Sequence, residues 1–213
     1  RQADGTNTTS RVEMILGDAT PEFAHTPGLT ARGRTPRLPL SEWVGFAKRV
    51  AASGTSQGSD LPISFNVDID NLEMLGRNFT NVNLTGGERP DAWHVSVSGP
   101  QAQGTMIIPR EYPERSLTLD FERLWLERFD PENRSVRIDP RTIPSFVLNA
   151  KSLRFGEIDL GTVELTTRRV ENGVKLDRLQ ASEARFTLQG DGDWLLHGDV
   201  HQCRINLTVY DKT

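Results

Sequence analysis

The sequence predicts a mainly β protein, in which twisted antiparallel meander sheets form a groove or an open sandwich, with one short amphipathic α-helix. Three observations favour this fold. Apolar and polar residues alternate along many short segments, turns containing Gly or Pro separate the segments, and the pattern of residues 65–84 recurs at residues 146–165. The 213 residues are enough for one large all-β domain or two small ones.

The clearest element is a hairpin in the second half of the chain. Val163 and Leu165 alternate with polar residues on its first strand, and Val174 and Leu176 do so on its second. A Glu-Asn-Gly turn at 171–173 joins the two strands. Each strand therefore has one apolar face and one polar face, which is typical of a sheet that is buried on one side.

The recurring pattern predicts an internal repeat. When residues 65–84 are aligned with 146–165, Phe65 falls on Phe146, and the following strand aligns as well. Self-similar units bury their apolar faces against their neighbours, so we expect two β repeats of about 80 residues each. Their predicted bounds are 61–142 and 143–213.

The first 60 residues are predicted to hold two strands, a helix and a linker. The strands are 11–16 and 29–34. The helix is 41–53, where Ser41 can cap the N-terminus, and the linker at 53–60 is rich in Gly and Ser. The apolar stripe of the helix comprises Trp43, Phe46, Ala47 and Val50. We expect this part and both repeats to form one continuous domain of a longer protein.

Composition excludes several classes of protein. The net charge is -4 and the basic residues are scattered, which argues against a nucleic-acid binder. With Cys203 as the single cysteine, a disulfide framework is excluded. No apolar run approaches the ~18 residues of a membrane span, and no signal peptide is predicted within this sequence. We therefore expect any membrane contact to be made by parts of the protein outside this sequence.

The best candidate for a metal site is the segment "HGDVHQC". His197, Asp199, His201 and Cys203 share one parity, and these residue types can ligate zinc. However, Gly198-Asp199 is typical of a turn, which would break the alignment, and the parity of Cys203 places it on the apolar face as a small buried side chain. We expect no metal and no other cofactor.

Carboxylate pairs do not indicate catalysis either. Asp68 and Asp70 occupy the outward face of a strand, where solvated side chains are ordinary. Asp191 and Asp193 flank Gly192 in a pattern that predicts a turn. No nucleophile elbow, phosphate loop or zinc-protease motif is present in the sequence. The expected function is non-enzymatic.

The inward-facing residues of the predicted strands are the candidate functional surface. This set comprises Phe65, Val67, Ile69, Val82, Leu84, Trp93, Val95, Phe146, Leu148, Val163, Leu165, Val174, Leu176, Phe186 and Leu188. Exposed Trp side chains could instead indicate a carbohydrate-binding sandwich, for which Trp93, Trp125 and Trp194 are candidates. The alternation of Trp93 with Val95 and Val97 favours a core position for that residue.

Three segments carry a resemblance to a known family. "PGLTARGRTPRLPLSEW" (27–43), "DPRTIPSFVLNAKSLRFGEIDLGTVEL" (139–165) and "NGVKLDRLQASEARFTLQGDGDW" (172–194) resemble stretches of the YhdP branch of the AsmA-like proteins. The matching positions are Pro, Gly, Asp, Arg, Ser, Trp and apolar residues, and none is catalytic. The first repeat departs from the pattern at 76–80, where it reads Gly-Arg-Asn-Phe-Thr.

The resemblance implies a large envelope protein of a Gram-negative bacterium, anchored in the inner membrane, with a long periplasmic β-groove. It implies a role in carrying phospholipid towards the outer membrane and in keeping that membrane impermeable, with acyl chains and neighbouring repeats as partners. A periplasmic structural or protein-interaction module would show the same alternation. Periodicity alone leaves both alternatives open.

Overall fold

A computed structural model describes residues 11–17, 28–39, 62–74, 77–127 and 138–212. Twelve strands in these ranges form one open sheet, and their spatial order is their order in the sequence. The strands are β1 (Arg11–Leu16), β2 (Gly28–Pro39), β3 (Ile63–Met74), β4 (Arg77–Glu88), β5 (Ala92–Ser98), β6 (Ala102–Pro109), β7 (Leu117–Leu126), β8 (Phe146–Phe155), β9 (Ile158–Val170), β10 (Gly173–Ser182), β11 (Phe186–His197) and β12 (Val200–Asp211). A 3₁₀ helix at Pro140–Thr142 precedes β8. The helix predicted at 41–53 and the linker predicted at 53–60 lie outside the described residues.

The prediction of a mainly antiparallel β fold is confirmed. Strands β3 to β7 and strands β8 to β12 form two antiparallel series. The pairs β1–β2, β2–β3 and β7–β8 are parallel. Each parallel pair is separated by a longer connecting segment, because the chain must return to the same end of the sheet before the next strand begins.

The N-terminal strands follow the prediction with two differences. The first strand has the predicted bounds, whereas β2 is longer than the predicted 29–34. Val12 and Met14 are 48% and 40% exposed, although their alternation predicted inward positions. Leu16 packs against the core. The strand β1 lies at the edge of the sheet and pairs only with β2 among the described strands, so less of it is covered.

Most of the buried apolar residues of the sheet form one contiguous cluster, which runs from β2 to β10. We call the face that carries it the inner face. We call the end of the sheet where β3, β7 and β8 finish the A end, and the end where they begin the B end. The largest fully buried strand side chains are Ile69, Val82 and Val163, with exposed fractions of 2% or less. They anchor the centre of the inner face.

Pairing registers in the two antiparallel series correspond at an offset of 81 residues. Phe65 pairs with Gly86, and Phe146 pairs with Thr167. The pairs Val67–Leu84 and Ile69–Val82 correspond in the same way to Leu148–Leu165 and Ala150–Val163. The two series differ beyond these pairs: a register irregularity follows Ala150, whereas β3 and β4 keep one register past Ile69. The two sequence stretches that align therefore pair alike up to this point.

One predicted turn is wrong. Asp191, Gly192 and Asp193 lie within β11, in continuous register with β12. Gly192 is there because a Cβ at this position would overlap the carbonyl oxygen of Arg204 on β12. An Asp-Gly-Asp sequence is typical of turns, but a glycine in a strand also permits the close approach of a neighbouring backbone.

Candidate functional site: the inner face of the sheet

The pairing registers place the fifteen predicted inward residues on one face. They differ in burial. The buried members are Val67, Ile69, Val82, Leu84, Val95, Leu148, Val163 and Val174. The half-buried members are Phe65, Trp93, Phe146, Leu165, Leu176, Phe186 and Leu188. The inner face is thus partly a closed core and partly an accessible apolar surface.

Burial follows a gradient along strands β3 to β8. At the A end, Leu72, Phe79 and Leu153 are 4%, 3% and 6% exposed. Towards the B end, Phe65 and Phe146 are only half-buried, although both pack against the core. Most of the accessible apolar surface of the inner face in these strands therefore lies in its B half, although Leu126 and Phe155 at the outermost A end are also half-buried.

A contact across the inner face shows that the sheet is strongly curled at the A end. Arg77 on β4 and Phe155 on β8 have the inward parity of their neighbours Phe79 and Leu153. The guanidinium carbon of Arg77 lies 5.2 Å from the centroid of the Phe155 ring. Four strand spacings separate β4 from β8, or about 19 Å along the sheet. A flat sheet could not bring these side chains together.

Polar contacts also join strands at the A end. The backbone N–H of Thr80 on β4 donates to Oε1 of Gln101, at 2.9 Å. Nε2 of Gln101 donates to Oε1 of Glu127, which follows β7, at 3.3 Å. The backbone N–H of Gly156 donates to the carbonyl oxygen of Leu126, at 2.7 Å. These bonds connect the start of β4 to the end of β7, and the end of β7 to the end of β8.

At the B end, the segment before β8 packs on β10 and β11. Asp139 caps its 3₁₀ helix by accepting a hydrogen bond from the backbone N–H of Arg141, at 2.9 Å. The guanidinium of Arg141 contacts the same carboxylate at 2.7 Å. These hydrogen bonds lower the pKa of Asp139, and the bond from the Arg141 side chain has a larger effect than the bond from the Arg141 backbone. Pro140 is fully buried. The Asp-Pro-Arg sequence therefore has a structural role.

The Gly-x-x-Leu-Gly-like stretch is structural as well. Gly161 has φ +64°, and a Cβ there would overlap the carbonyl oxygen of Ser182 on β10. The carboxylate of Asp159 accepts a hydrogen bond from the Gly161 backbone N–H, at 2.9 Å. This turn-like geometry coincides with the register irregularity between Leu153 and β9. The positive φ and the close contact at position 161 both require a residue without a side chain, namely glycine.

The segment "HGDVHQC" forms the β11–β12 hairpin. Gly198 has φ +60°, and His197 pairs with Val200, so the predicted turn is confirmed. His201 Nδ1 accepts a hydrogen bond from Nε1 of Trp194, at 3.2 Å. Cys203 is exposed, so its predicted burial is wrong, because β12 is the last described strand. Among the described residues, no group of three or more His, Cys, Asp or Glu side chains could hold a metal ion.

A depression of about 360 Å³ crosses β6 to β9. Four of its polar lining residues form two pairs with one another. Asn149 Nδ2 donates to Asp120 Oδ1, at 2.7 Å, and Lys151 Nζ lies 2.7 Å from Glu122 Oε1. Asp68, on the same strand as the inward residue Val67, is exposed and accepts from Asn83 Nδ2, at 2.8 Å. These are ordinary pairs between neighbouring strands of a solvated sheet face.

Sequence reasoning missed several residues that shape the inner face. Gly104, Ala150 and Ala181 are small, and their positions permit close packing: a Cβ on Gly104 would lie 2.7 Å from the Phe121 ring. Small residues give a weak signal in an alternating pattern, because Gly and Ala also occur on exposed faces. Arg77 was missed because a charged residue predicts the outward face.

The fold and the inner face define a class of protein: a long open β-sheet with one continuous apolar face and no helix among the described residues that is long and apolar enough to span a membrane. A family model described as "YhdP protein" matches residues 1–212. The chain belongs to the YhdP family, and this membership indicates an envelope protein of the AsmA-like group. Comparison with curated proteins and with solved structures finds no match.

Proposed function

We propose that this chain is a non-enzymatic segment of a YhdP-like envelope protein, and that its inner face carries phospholipid acyl chains between the inner and outer membranes. This activity would support the barrier function of the outer membrane. The observation that carries the proposal is the half-buried apolar surface of the B half, which includes Phe65, Phe146 and Leu165. An acyl chain needs such a surface, while the opposite face of the sheet stays in water.

The energetics suit transport better than storage. Burial of each CH₂ group of an acyl chain contributes about 0.8 kcal/mol without any directional contact. An apolar surface of this kind therefore holds a chain in many equivalent positions, and the chain can slide between them. The corresponding registers at Val67–Leu84 and Leu148–Leu165 support a surface that repeats along the sheet.

The proposal extends to location and partners. We place this segment in the periplasm of a Gram-negative bacterium, within a parent protein anchored in the inner membrane by parts outside this sequence. Its partners would be phospholipid acyl chains and neighbouring β repeats of the same protein, without nucleic acid. The net charge of -4 supports the last point, since a basic surface is the usual electrostatic mark of a nucleic-acid binder.

A site-specific photo-crosslinker tests the proposal in cells that express the full-length protein. Leu165 is half-buried on the inner face, and its neighbour Thr166 is half-buried on the outer face, so the two positions are a matched pair. We expect phospholipid to be captured from Leu165 and not from Thr166. Equal capture at both positions, or capture at neither, would contradict lipid conduction by this face.

A second candidate function is a structural or protein-interaction module. Eight of the fifteen inward residues are buried, and this observation favours a sheet whose inner face is mainly core. In that case the crosslinker at Leu165 should capture protein and no lipid. The same experiment therefore separates the two candidates.

A further inference from the structure

We infer that Arg77 and Phe155 form a latch that holds the inner face closed at the A end, so that bound acyl chains reach only the B half. This inference rests on the proposed function for its lipid-related part. The closure itself is a property of the sheet and can be tested without lipid.

The first argument is geometric. The two side chains come from strands that are four positions apart in the sheet, yet the guanidinium carbon lies 5.2 Å from the ring centroid. A cation within about 6 Å of a ring centroid is attracted by the negative face of the ring. The pair therefore connects two points of the inner face that only the curl of the sheet brings together.

The second argument is the environment of the cation. Burial lowers the pKa of Arg77, and the nearby carboxylate of Glu127 partly opposes this effect. Glu127 follows β7, whereas Arg77 begins β4. A partly desolvated guanidinium is thus held by an aromatic ring from β8 and attracted by a carboxylate next to β7. Attraction of this kind strengthens as water is excluded.

The third argument is that the latch does not act alone. The hydrogen bonds from Thr80 to Gln101 and from Gln101 to Glu127 connect the same strands at the same end. Side chains nearby are also buried, as the 3% exposure of Phe79 shows. The A end is therefore closed by packing and by polar contacts, and the Arg77–Phe155 contact joins strands that are four positions apart in the sheet.

The adjacent residue Arg154 offers a matched control. Its guanidinium carbon lies 5.0 Å from the centroid of the Trp125 ring, so it makes a contact of the same chemistry at the same end of β8. Arg154 has the opposite parity to Phe155, which places it on the outer face. Removing Arg154 removes a cation–π contact without opening the inner face.

The test compares Arg77→Ala with Arg154→Ala by amide hydrogen exchange in the full-length protein. We expect protection of the Phe79 and Leu153 amides to fall roughly tenfold in Arg77→Ala, the size expected from losing one partly desolvated cation–π contact. Arg154→Ala should leave it unchanged. Equal losses in both variants, or no loss in Arg77→Ala, would overturn the latch. If Arg77→Ala does not fold, Phe155→Leu removes the ring but keeps an apolar side chain, and the same loss is expected.

A crosslinker at Leu126 tests the lipid-related part. Leu126 is half-buried, packs against the core and pairs with Phe155 at the A end. If the crosslinker at Leu165 captures lipid, the latch predicts that a crosslinker at Leu126 captures no lipid in the wild-type protein. The same crosslinker at Leu126 should capture lipid in the Arg77→Ala variant. Equal capture at Leu126 in both backgrounds would overturn the latch while the proposed function stands. If no position captures lipid, the proposed function fails, and the exchange measurement decides the latch by itself.

Discussion

Substitution of Thr167 by Val should destabilise the start of β8 more than its small chemical change suggests. Thr167 is a buried polar residue, with 8% of its surface exposed. Its hydroxyl accepts a hydrogen bond from the backbone N–H of Phe146, at 3.1 Å, and lies 3.3 Å from the carbonyl oxygen of Pro144. Through these contacts one side chain fixes the segment that leads into β8.

The expected loss follows from these two contacts. A typical hydrogen bond contributes about 0.5–1.5 kcal/mol net, and a buried group left without its partner costs somewhat more. Valine keeps nearly the same shape and recovers part of the loss through an added methyl group, worth about 0.8 kcal/mol. We therefore expect Thr167→Val to lower the free energy of unfolding by about 1–2 kcal/mol.

Urea denaturation with linear extrapolation measures this change. Thr166→Val is the control, since Thr166 is on the outer face one residue away, and its substitution should change the free energy of unfolding by less than about 0.5 kcal/mol. Thr167→Ser retains the hydroxyl and should keep more of the stability than valine does. A loss from Thr167→Val no larger than that of the control would refute this account of the β8 segment.

Two further predictions concern the B end and the last hairpin. Because hydrogen bonds from Arg141 lower the pKa of Asp139, the capped 3₁₀ helix should be fully stabilised above the ordinary aspartate pKa of about 4 and should loosen as the pH falls through the lowered value. This loosening should accelerate exchange of the Ile143 amide, and Asp139→Asn should abolish the pH-dependent step. Gly192→Ala should push β12 away from β11 and cost about 1–3 kcal/mol, measured by urea denaturation, whereas Asp191→Ala on the outer face should cost much less.

The sequence predicts which residues face inward much better than how deeply each is buried. Alternation assigns Val163 and Leu165 to the same face, and the pairing registers agree. Val163 is 2% exposed and Leu165 is half-buried, although the sequence immediately around the two residues does not distinguish them. Depth of burial depends on contacts between distant strands, such as that of Arg77 with Phe155. Contacts of this kind leave no periodic signal.

Edge position and backbone proximity explain the other differences. Ile205 and Leu207 continue the inward alternation, yet they are 56% and 55% exposed because β12 is the last described strand of the sheet. Gly192 lies in an Asp-Gly-Asp sequence that is typical of turns, yet it is part of a strand. The backbone of Arg204 on the neighbouring strand is too close to Gly192 for a side chain to fit there. In both cases the deciding interaction is with another strand. The residue pattern alone describes only one strand at a time.

The gradient of burial also explains how a sheet could bear an accessible apolar surface and still fold. A sheet needs an apolar face packed against other groups for independent stability. If the whole inner face were open to lipid, the chain would lose the burial that stabilises it whenever lipid was absent. Tight packing around Phe79 and Leu153 at the A end supplies a permanent core. The B half, with Phe65 and Leu165, can then exchange contacts without unfolding the sheet, so that the stabilising role and the proposed lipid-binding role are divided between the two ends of the same strands.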